Sequence, residues 1–209
     1  MTQLEIMGAA AKKASRFLMN AGSRKDEALL AIAKALRENS AAIIAANDID
    51  IENGKAAGLT ESLLDRLRLD EGRIEGMATG VAEVAALPDP IGKILDGRTL
   101  KNGLKIEKVT VPMGVIGIIY EARPNVTSDA AALAVKAGNT AILRGGKEAF
   151  NSNSAIMDSM REAVEKTGFN PDIIELVRDT SRESSTALMR MNDYVDVLIP
   201  RGSAKLINA

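Results

Sequence analysis

From Gly114 onward, short apolar runs alternate regularly with segments of helix length, and this pattern limits the chain to very few folds. The runs Gly114 to Ile119, Thr140 to Leu143, Ile173 to Val177 and Val195 to Ile199 have the length and composition of buried strands. Between them, Ala130, Leu133, Ala134 and Ala137 recur at helical spacing after a Ser128 cap and before Gly138. Ile156, Met160, Ala163 and Val164 do the same after Asn151 or Ser152 and before Gly168, and Ala187, Leu188 and Met191 follow Ser181. A last helix is expected to begin near Ser203. Strands joined by helices at this spacing predict successive right-handed crossovers, and therefore a parallel sheet. Ligands of an open parallel sheet bind outside the carboxyl ends of its strands. Those ends are the loops 120–127, 144–151, 178–181 and 200–203, which the pattern collects on one edge.

Residues 1–97 read as helices packed on that sheet. Leu29, Ile32, Leu36 and Ile43 recur along one face of a helix running from Lys25, with Ser23 as its N-cap and Asp26 as a weak capping-box partner. Gly54 and Gly58 break the pattern, and Leu63, Leu64 and Leu67 resume it. Asp70-Glu71-Gly72 then separates that helix from another ending near Ala86. Nothing in this stretch marks a site. Pro88-Asp89-Pro90 stops the helical region, because proline cannot continue a helix. Residues 98–111 form a predicted hairpin turning at Asn102-Gly103, with a half-exposed second strand, of the kind that serves as an oligomerisation arm. The expected class is α/β: an open parallel Rossmann-like sheet with N-terminal helices and a protruding β-hairpin. Its parts are an N-terminal helical part over 1–97, the hairpin over 98–111 and a βαβ core over 112–209.

Composition removes several chemistries. The 209 residues contain no Cys and no His, so disulfides, thiolates, imidazole bases and the commonest transition-metal ligand are all missing, and no metal site is expected. With 27 basic against 28 acidic residues there is no global field to attract nucleic acid or an anionic membrane, so any anion site must be local. No segment approaches the roughly 20 apolar residues of a membrane span, and the N-terminus has no signal-like apolar run. A cytoplasmic location is expected.

Three segments at the predicted sheet edge carry the candidate chemistry. Arg144-Gly145-Gly146-Lys147 lies between a strand and a helix. Its glycines permit close backbone approach, and its two cations suit a phosphate such as one borne on a nucleotide. An ordinary turn with solvated basic residues is the competing reading. Pro200-Arg201-Gly202-Ser203 is a second turn of similar character, suited to a pyrophosphate or to nothing. No Gly-x-Gly-x-x-Gly fingerprint is present. Arg123-Pro124-Asn125 follows the first strand; an Asn amide aimed into a cleft can donate to a developing oxyanion, or Asn125 can be a helix-entry residue.

The run Gly114-Val115-Ile116-Gly117-Ile118-Ile119-Tyr120-Glu121-Ala122-Arg123-Pro124-Asn125-Val126-Thr127, with Ile142 to Ala149 and Val197 to Gly202, resembles the N-terminal half of the gamma-glutamyl phosphate reductase family, within the aldehyde dehydrogenase superfamily. The resemblance implies NADPH-dependent reduction of gamma-glutamyl phosphate to glutamate-5-semialdehyde in proline biosynthesis. In that family a cysteine thiolate displaces phosphate and the thioester is reduced by hydride. It further implies that Asn125 stabilises the oxyanion and that Arg144 and Lys147, with Gly145 and Gly146, hold the adenine ribose and its 2′-phosphate. Gly202 and Ser203, after Pro200 and Arg201, correspond to the turn over the pyrophosphate, with Ser203 where a second glycine is expected. Ala122, Arg123 and Pro124 line the cofactor cleft. Family members run to about twice this length and carry their nucleophilic cysteine in the part not matched here, so the 209 residues alone are expected to be inactive. A non-catalytic nucleotide-binding module, or an interaction protein using the 98–111 hairpin, remains the alternative.

Overall fold

In a computed structural model, described over residues 1–202, a four-stranded parallel sheet lies between two helical layers. The strands are β3 (Val115–Tyr120), β4 (Thr140–Arg144), β5 (Ile174–Leu176) and β6 (Val197–Arg201), in the spatial order β5-β4-β3-β6. The chain adds strands to one side of β3 twice and then crosses to the other. This puts the topological switch between β3 and β6, where open α/β sheets form their ligand crevice. β3 and β4 are buried along their whole length, which is why both read as unbroken apolar runs.

One face of the sheet presents Ile116, Ile118, Tyr120, Ala141, Leu143, Ile174 and Leu176 to the main core. The core is completed from α1 (Gln3–Leu18), α2 (Arg24–Glu38), α3 (Ser40–Ala56), α5 (Glu71–Ala86), α6 (Asn125–Lys136) and α7 (Phe150–Lys166). The other face places Val115, Ile119 and Ile142 against Ala11 of α1 and Leu188 of α8 (Arg182–Met189). α4 (Glu61–Leu67) packs Leu64 and Leu67 against Ile51 and Ala149.

The expected single helix from Lys25 through Ile43 is two. Asn39 separates α2 from α3, and its amide donates to the Ala35 carbonyl at 2.9 Å and to Ser159 Oγ at 3.1 Å. Side-chain bonding to the backbone of this kind competes with helix continuation. Ser23 precedes α2 but makes no capping bond, since its own backbone is helical. Asp26 is committed elsewhere, accepting from the buried Lys136 ammonium at 2.6 Å.

The hairpin is formed by β1 (Ile94–Thr99) and β2 (Lys105–Val109), antiparallel, with Gly103 at φ +86° in the turn. It begins before the expected residue 98 and, rather than being half-buried, is exposed along both strands.

α6 begins at Asn125, ahead of the expected Ser128, because Pro124 already holds helical φ and ψ at the N-cap. Ser128 sits inside the first turn, its hydroxyl donating back to the Asn125 carbonyl at 2.9 Å. The inward face is Ala131, Ala132, Ala134 and Val135, whereas Leu133 is 56% exposed and Ala130 and Ala137 are only half-buried. Leu133 faces an open apolar groove of about 480 Å³ that also contains Ile199 of β6.

α7 follows a 3₁₀ turn at Lys147–Ala149, and neither Asn151 nor Ser152 is its cap. The cap comes from another helix. Asp50 of α3, 2% exposed, accepts from the Ser152 amide and hydroxyl at 2.7 and 2.6 Å, and from the Asn151 amide and side chain at 3.2 and 2.7 Å. At β6 the strand runs through Pro200 and Arg201, so these residues belong to the sheet and not to the turn after it. Proline fits there because β6 is an edge strand of the described sheet. The helix expected near Ser203 lies outside the described residues.

Candidate functional site

The carboxyl ends of β3, β4 and β6 bring Tyr120, Arg144 and Arg201 to one edge of the sheet. Tyr120 is buried, and its hydroxyl meets Thr127 Oγ1 at 2.7 Å. Thr127 in turn donates to Asn153 Oδ1 at 2.9 Å. This chain ties β3, α6 and α7 together beneath the loops. Burial pushes the Tyr120 phenol well above its usual range, with Thr127 opposing, so it stays protonated.

Gly145 and Gly146 are required by internal packing. A Cβ on Gly145 would collide with the Asn153 amide and lie 3.1 Å from the Tyr120 ring and hydroxyl. One on Gly146 would come within 2.5 Å of the Glu148 carboxylate and 3.4 Å of the Ala122 amide nitrogen. The glycines therefore let the β4 loop lie against the β3 loop, and the space expected for a ligand backbone contact is filled by protein.

Arg144 points inward. It is 9% exposed, and its guanidinium donates to the carbonyls of Gly145, Thr180 and Ser181 at 3.0, 2.5 and 2.8 Å. Nε is buried without a partner. Burial lowers its affinity for the proton, while Glu148 and Asp179 oppose that shift. Arg144 thus pins the loop after β5 to the loop after β4. Lys147, one turn on, is exposed.

Ala122 is half-buried, Arg123 exposed and Pro124 buried, on a tight turn in which the Arg123 amide donates to the Glu121 carbonyl at 2.6 Å. Asn125 opens α6 and donates through Nδ2 to Asp129 Oδ2 at 2.9 Å, leaving its second amide hydrogen available. Burial raises the Asp129 carboxyl above its ordinary value, opposed by the Asn125 amide and the nearby Arg201 charge.

Two clefts open at this edge. One, of about 490 Å³, lies between the β3 and β6 ends and is lined by Tyr120, Ala122, Arg123, Arg201 and Gly202 together with Leu63 and Arg66. The other, of about 460 Å³, contains Asn125, Asp129 and Arg123 with Arg66, Arg68 and Arg73. Arg66 and Arg123 belong to both. The structure thus brings Ala122, Arg123, Asn125, Arg201 and Gly202 together; Lys147 and the buried Arg144 line neither cleft, and Ser203 lies outside the described residues. The arginines of the α4–α5 connection were missed by sequence reasoning, which treated residues 1–90 as packing alone. Their one sequence signal is the clustering of Arg66, Arg68 and Arg73 around a helix break.

The aldehyde dehydrogenase family model matches residues 2–207. The chain belongs to the aldehyde dehydrogenase family. Members of this family use NAD(P) as cofactor. Among its relatives, the gamma-glutamyl phosphate reductase of Clostridium novyi is 57% identical over 185 residues, covering 88% of this chain and 44% of the relative. That of Moorella thermoacetica is 53% identical over 206 residues, covering 98% and 49%. The crystal structure of gamma-glutamyl phosphate reductase from Thermotoga maritima superposes with a TM-score of 0.97 at 40% identity, over 99% of this chain and 50% of that one. The Saccharomyces cerevisiae counterpart gives 0.91 at 35% identity, over 99% and 53%. The chain spans about half the length of the curated relatives it matches. An acetylating aldehyde dehydrogenase from Geobacillus thermoglucosidasius, 17% identical with a TM-score of 0.70, shares the fold.

Proposed function

We propose that this chain is the cofactor-binding half of a gamma-glutamyl phosphate reductase, which reduces gamma-glutamyl phosphate to glutamate-5-semialdehyde with NADPH in proline biosynthesis. The observation that carries this reading is the match of nearly the whole chain, at half identity and in register, to relatives bearing that name.

The residues present fit a dinucleotide. The cleft at the β3/β6 switch is of ligand size, ends in the exposed Arg201 and Gly202, and is walled by Ala122 and Arg123. Lys147, exposed on its 3₁₀ turn, is the cation we assign to the 2′-phosphate, and Arg144 acts by holding the adjoining loops. When bound, the cofactor supplies hydride. The chain's own residues orient it and exclude water, and the free Asn125 hydrogen donates to an oxyanion as charge develops on the substrate carbonyl oxygen. Without a cysteine the 209 residues supply no thiolate, so this chain alone binds cofactor and does not turn over. The exposed hairpin, with Leu104, Ile106 and Val109 uncovered, is the surface we assign to self-association, and light scattering of the purified chain tests it. No helix among the described residues is long and apolar enough to cross a membrane, and a cytoplasmic site fits a biosynthetic role.

The test is calorimetric titration of the purified chain with NADPH and with NADH. NADPH is expected to bind more tightly, and Lys147→Ala to erase most of that preference, by roughly tenfold for one lost charge-assisted contact. Equal binding of both nucleotides, or indifference to Lys147→Ala, would sink the cofactor assignment. NADPH-dependent reductase activity in the isolated chain would overturn the predicted inactivity.

A further inference from the structure

The cation-rich cleft beside Asn125 has positive charge beyond what the cofactor assignment uses, since Arg66 and Arg68 have no part in that assignment. Arg66 lies in the last turn of α4, and Arg68 follows the buried Leu67 in extended conformation. Both guanidinium groups are carried by a braced backbone. The fully buried Asn47 donates to the Leu67 carbonyl at 2.8 Å and accepts from the Leu69 amide at 2.7 Å, so it grips the chain on both sides of Arg68. From the other side Arg73 donates to the Arg68 carbonyl at 2.8 Å, to the Asp65 carbonyl, and to Asp65 Oδ1 at 2.7 Å.

That bracing consumes Arg73 and neutralises Asp65. Asp129, the cleft's other carboxylate, is engaged by Asn125 at 2.9 Å and faces Arg201. The side chains of Arg66, Arg68 and Arg123 remain exposed, and their guanidinium groups make no hydrogen bond or ion pair to any described residue. Three guanidinium groups without a hydrogen bond to any described residue thus converge on one cleft, with Glu121 lining the adjoining one, in a chain of net charge −1. The planar fork of arginine selects phosphate or carboxylate oxygens.

We propose that Arg66, Arg68 and Arg123 form an oxyanion subsite that takes the phosphate group of the acyl-phosphate substrate, separate from the Lys147 turn assigned to the cofactor's 2′-phosphate. The identity of the phosphate's carrier rests on the reductase reading; the existence of the subsite does not. Arg123, whose side chain borders both clefts, sits where substrate phosphate and cofactor would adjoin.

The experiment titrates the purified chain at low salt with inorganic phosphate and, in a separate arm, with 2′-AMP, each followed by calorimetry. The variants are Arg66→Gln, Arg123→Gln, Arg66→Lys and Lys147→Ala. Phosphate binding is expected to weaken about tenfold for each guanidinium removed, to recover partly in Arg66→Lys, and to be unaffected by Lys147→Ala or by saturating NADPH. Binding of 2′-AMP should weaken in Lys147→Ala and be unchanged by Arg66→Gln, whereas Arg123, which also walls the cofactor cleft, is read in the phosphate arm alone. Absence of phosphate binding, phosphate binding indifferent to Arg66 and Arg123, or displacement of phosphate by 2′-AMP or NADPH would each overturn the proposal. Displacement would assign these arginines to the cofactor instead. Arginine-dependent phosphate binding in a chain that ignores NADPH would leave the subsite standing while the cofactor reading fell. Thermal midpoints check that the variants, all at exposed positions, stay folded.

Discussion

Asp50→Ala should be among the most damaging substitutions in this chain, although residue 50 lies far from the sheet edge in sequence. The buried carboxylate satisfies four donors at the start of α7, two of them backbone amides that a helix leaves unpaired in its first turn. After truncation, half-buried Asn151 can turn to water, but the amide and hydroxyl of fully buried Ser152 cannot. An ordinary cap is worth about 1 kcal/mol, and each of the two stranded buried donors costs about 1–3 kcal/mol, so the total is roughly 3–7 kcal/mol. Against a stability of about 5–15 kcal/mol this is a large fraction, and for a domain of this size it lowers the thermal midpoint by on the order of 10 °C. Asp50→Asn keeps one oxygen acceptor but turns an NH₂ toward the remaining donors, so it should fall between parent and Asp50→Ala. Urea unfolding of the three proteins, with hydrogen exchange at the Ser152 amide, measures both the loss and its location. A loss under about 1 kcal/mol with unchanged Ser152 protection would refute the claim that α3 caps α7. The effect also reaches the candidate site, because the same helix start carries the Lys147–Ala149 turn and Asn153, the anchor of the Tyr120–Thr127 chain.

Two further outcomes follow from packing and titration. Gly145→Ala should destabilise by about 1–3 kcal/mol because its Cβ meets a hydrogen-bonded, buried Asn153 and the Tyr120 ring. Gly146→Ala, facing mainly the movable end of Glu148, should cost less, and equal urea midpoints for the two variants would contradict this account. Glu175, mostly buried between Arg161 and Asp172, has its carboxyl pushed up to about 7 from 4.5, chiefly by burial. The folded state therefore holds its proton more tightly than the unfolded state. That contribution is complete below pH 4.5, fades as pH rises and is gone above about 7, a loss of roughly 1–2 kcal/mol after solvent screening. With no His in the chain to titrate in that window, Glu175→Gln should flatten the stability profile between pH 5 and 7.5, and an unchanged slope would exclude Glu175 as its source.

The parallel sheet was legible because β3 and β4 are buried on both faces, and burial of that kind writes itself as Val-Ile-Gly-Ile-Ile-Tyr and Thr-Ala-Ile-Leu. The C-terminal edge was legible for the same reason, since strand ends fix where loops emerge. The start of α8 was legible too, since Ser181 caps it by accepting from the Ser184 amide at 3.1 Å, but the starts of α6 and α7 were not. Ser128 and Ser152 have the chemistry of caps, yet one lies inside a turn that Pro124 begins and the other is itself held by Asp50. Local capping rules see only neighbours in sequence, whereas the donor at 152 is satisfied from residue 50 across the core. The hairpin's strands were legible from alternation and Asn102-Gly103, but alternation predicts one covered face only if something covers it, and among the described residues nothing does.

Charged residues at the site were the least legible of all, and Arg144 shows why. In sequence, Arg144 and Lys147 are two cations flanking a pair of glycines, equally suited to phosphate. In space they face opposite ways: the strand register points Arg144 under the loop, where three carbonyls absorb its donors, and Lys147 reaches solvent. The converse holds for Arg66 and Arg68, which look like solvated charges on an ordinary helix end until Asn47 and Arg73 fix that end over the β3 loop. Whether a cation is available to a ligand depends on the carbonyls and carboxylates around it. For both pairs a deciding contact comes from another element, Thr180 and Ser181 for Arg144 and Asn47 for the backbone on either side of Arg68, so residue type and spacing could mark the edge of the sheet but could not say which of its arginines are free.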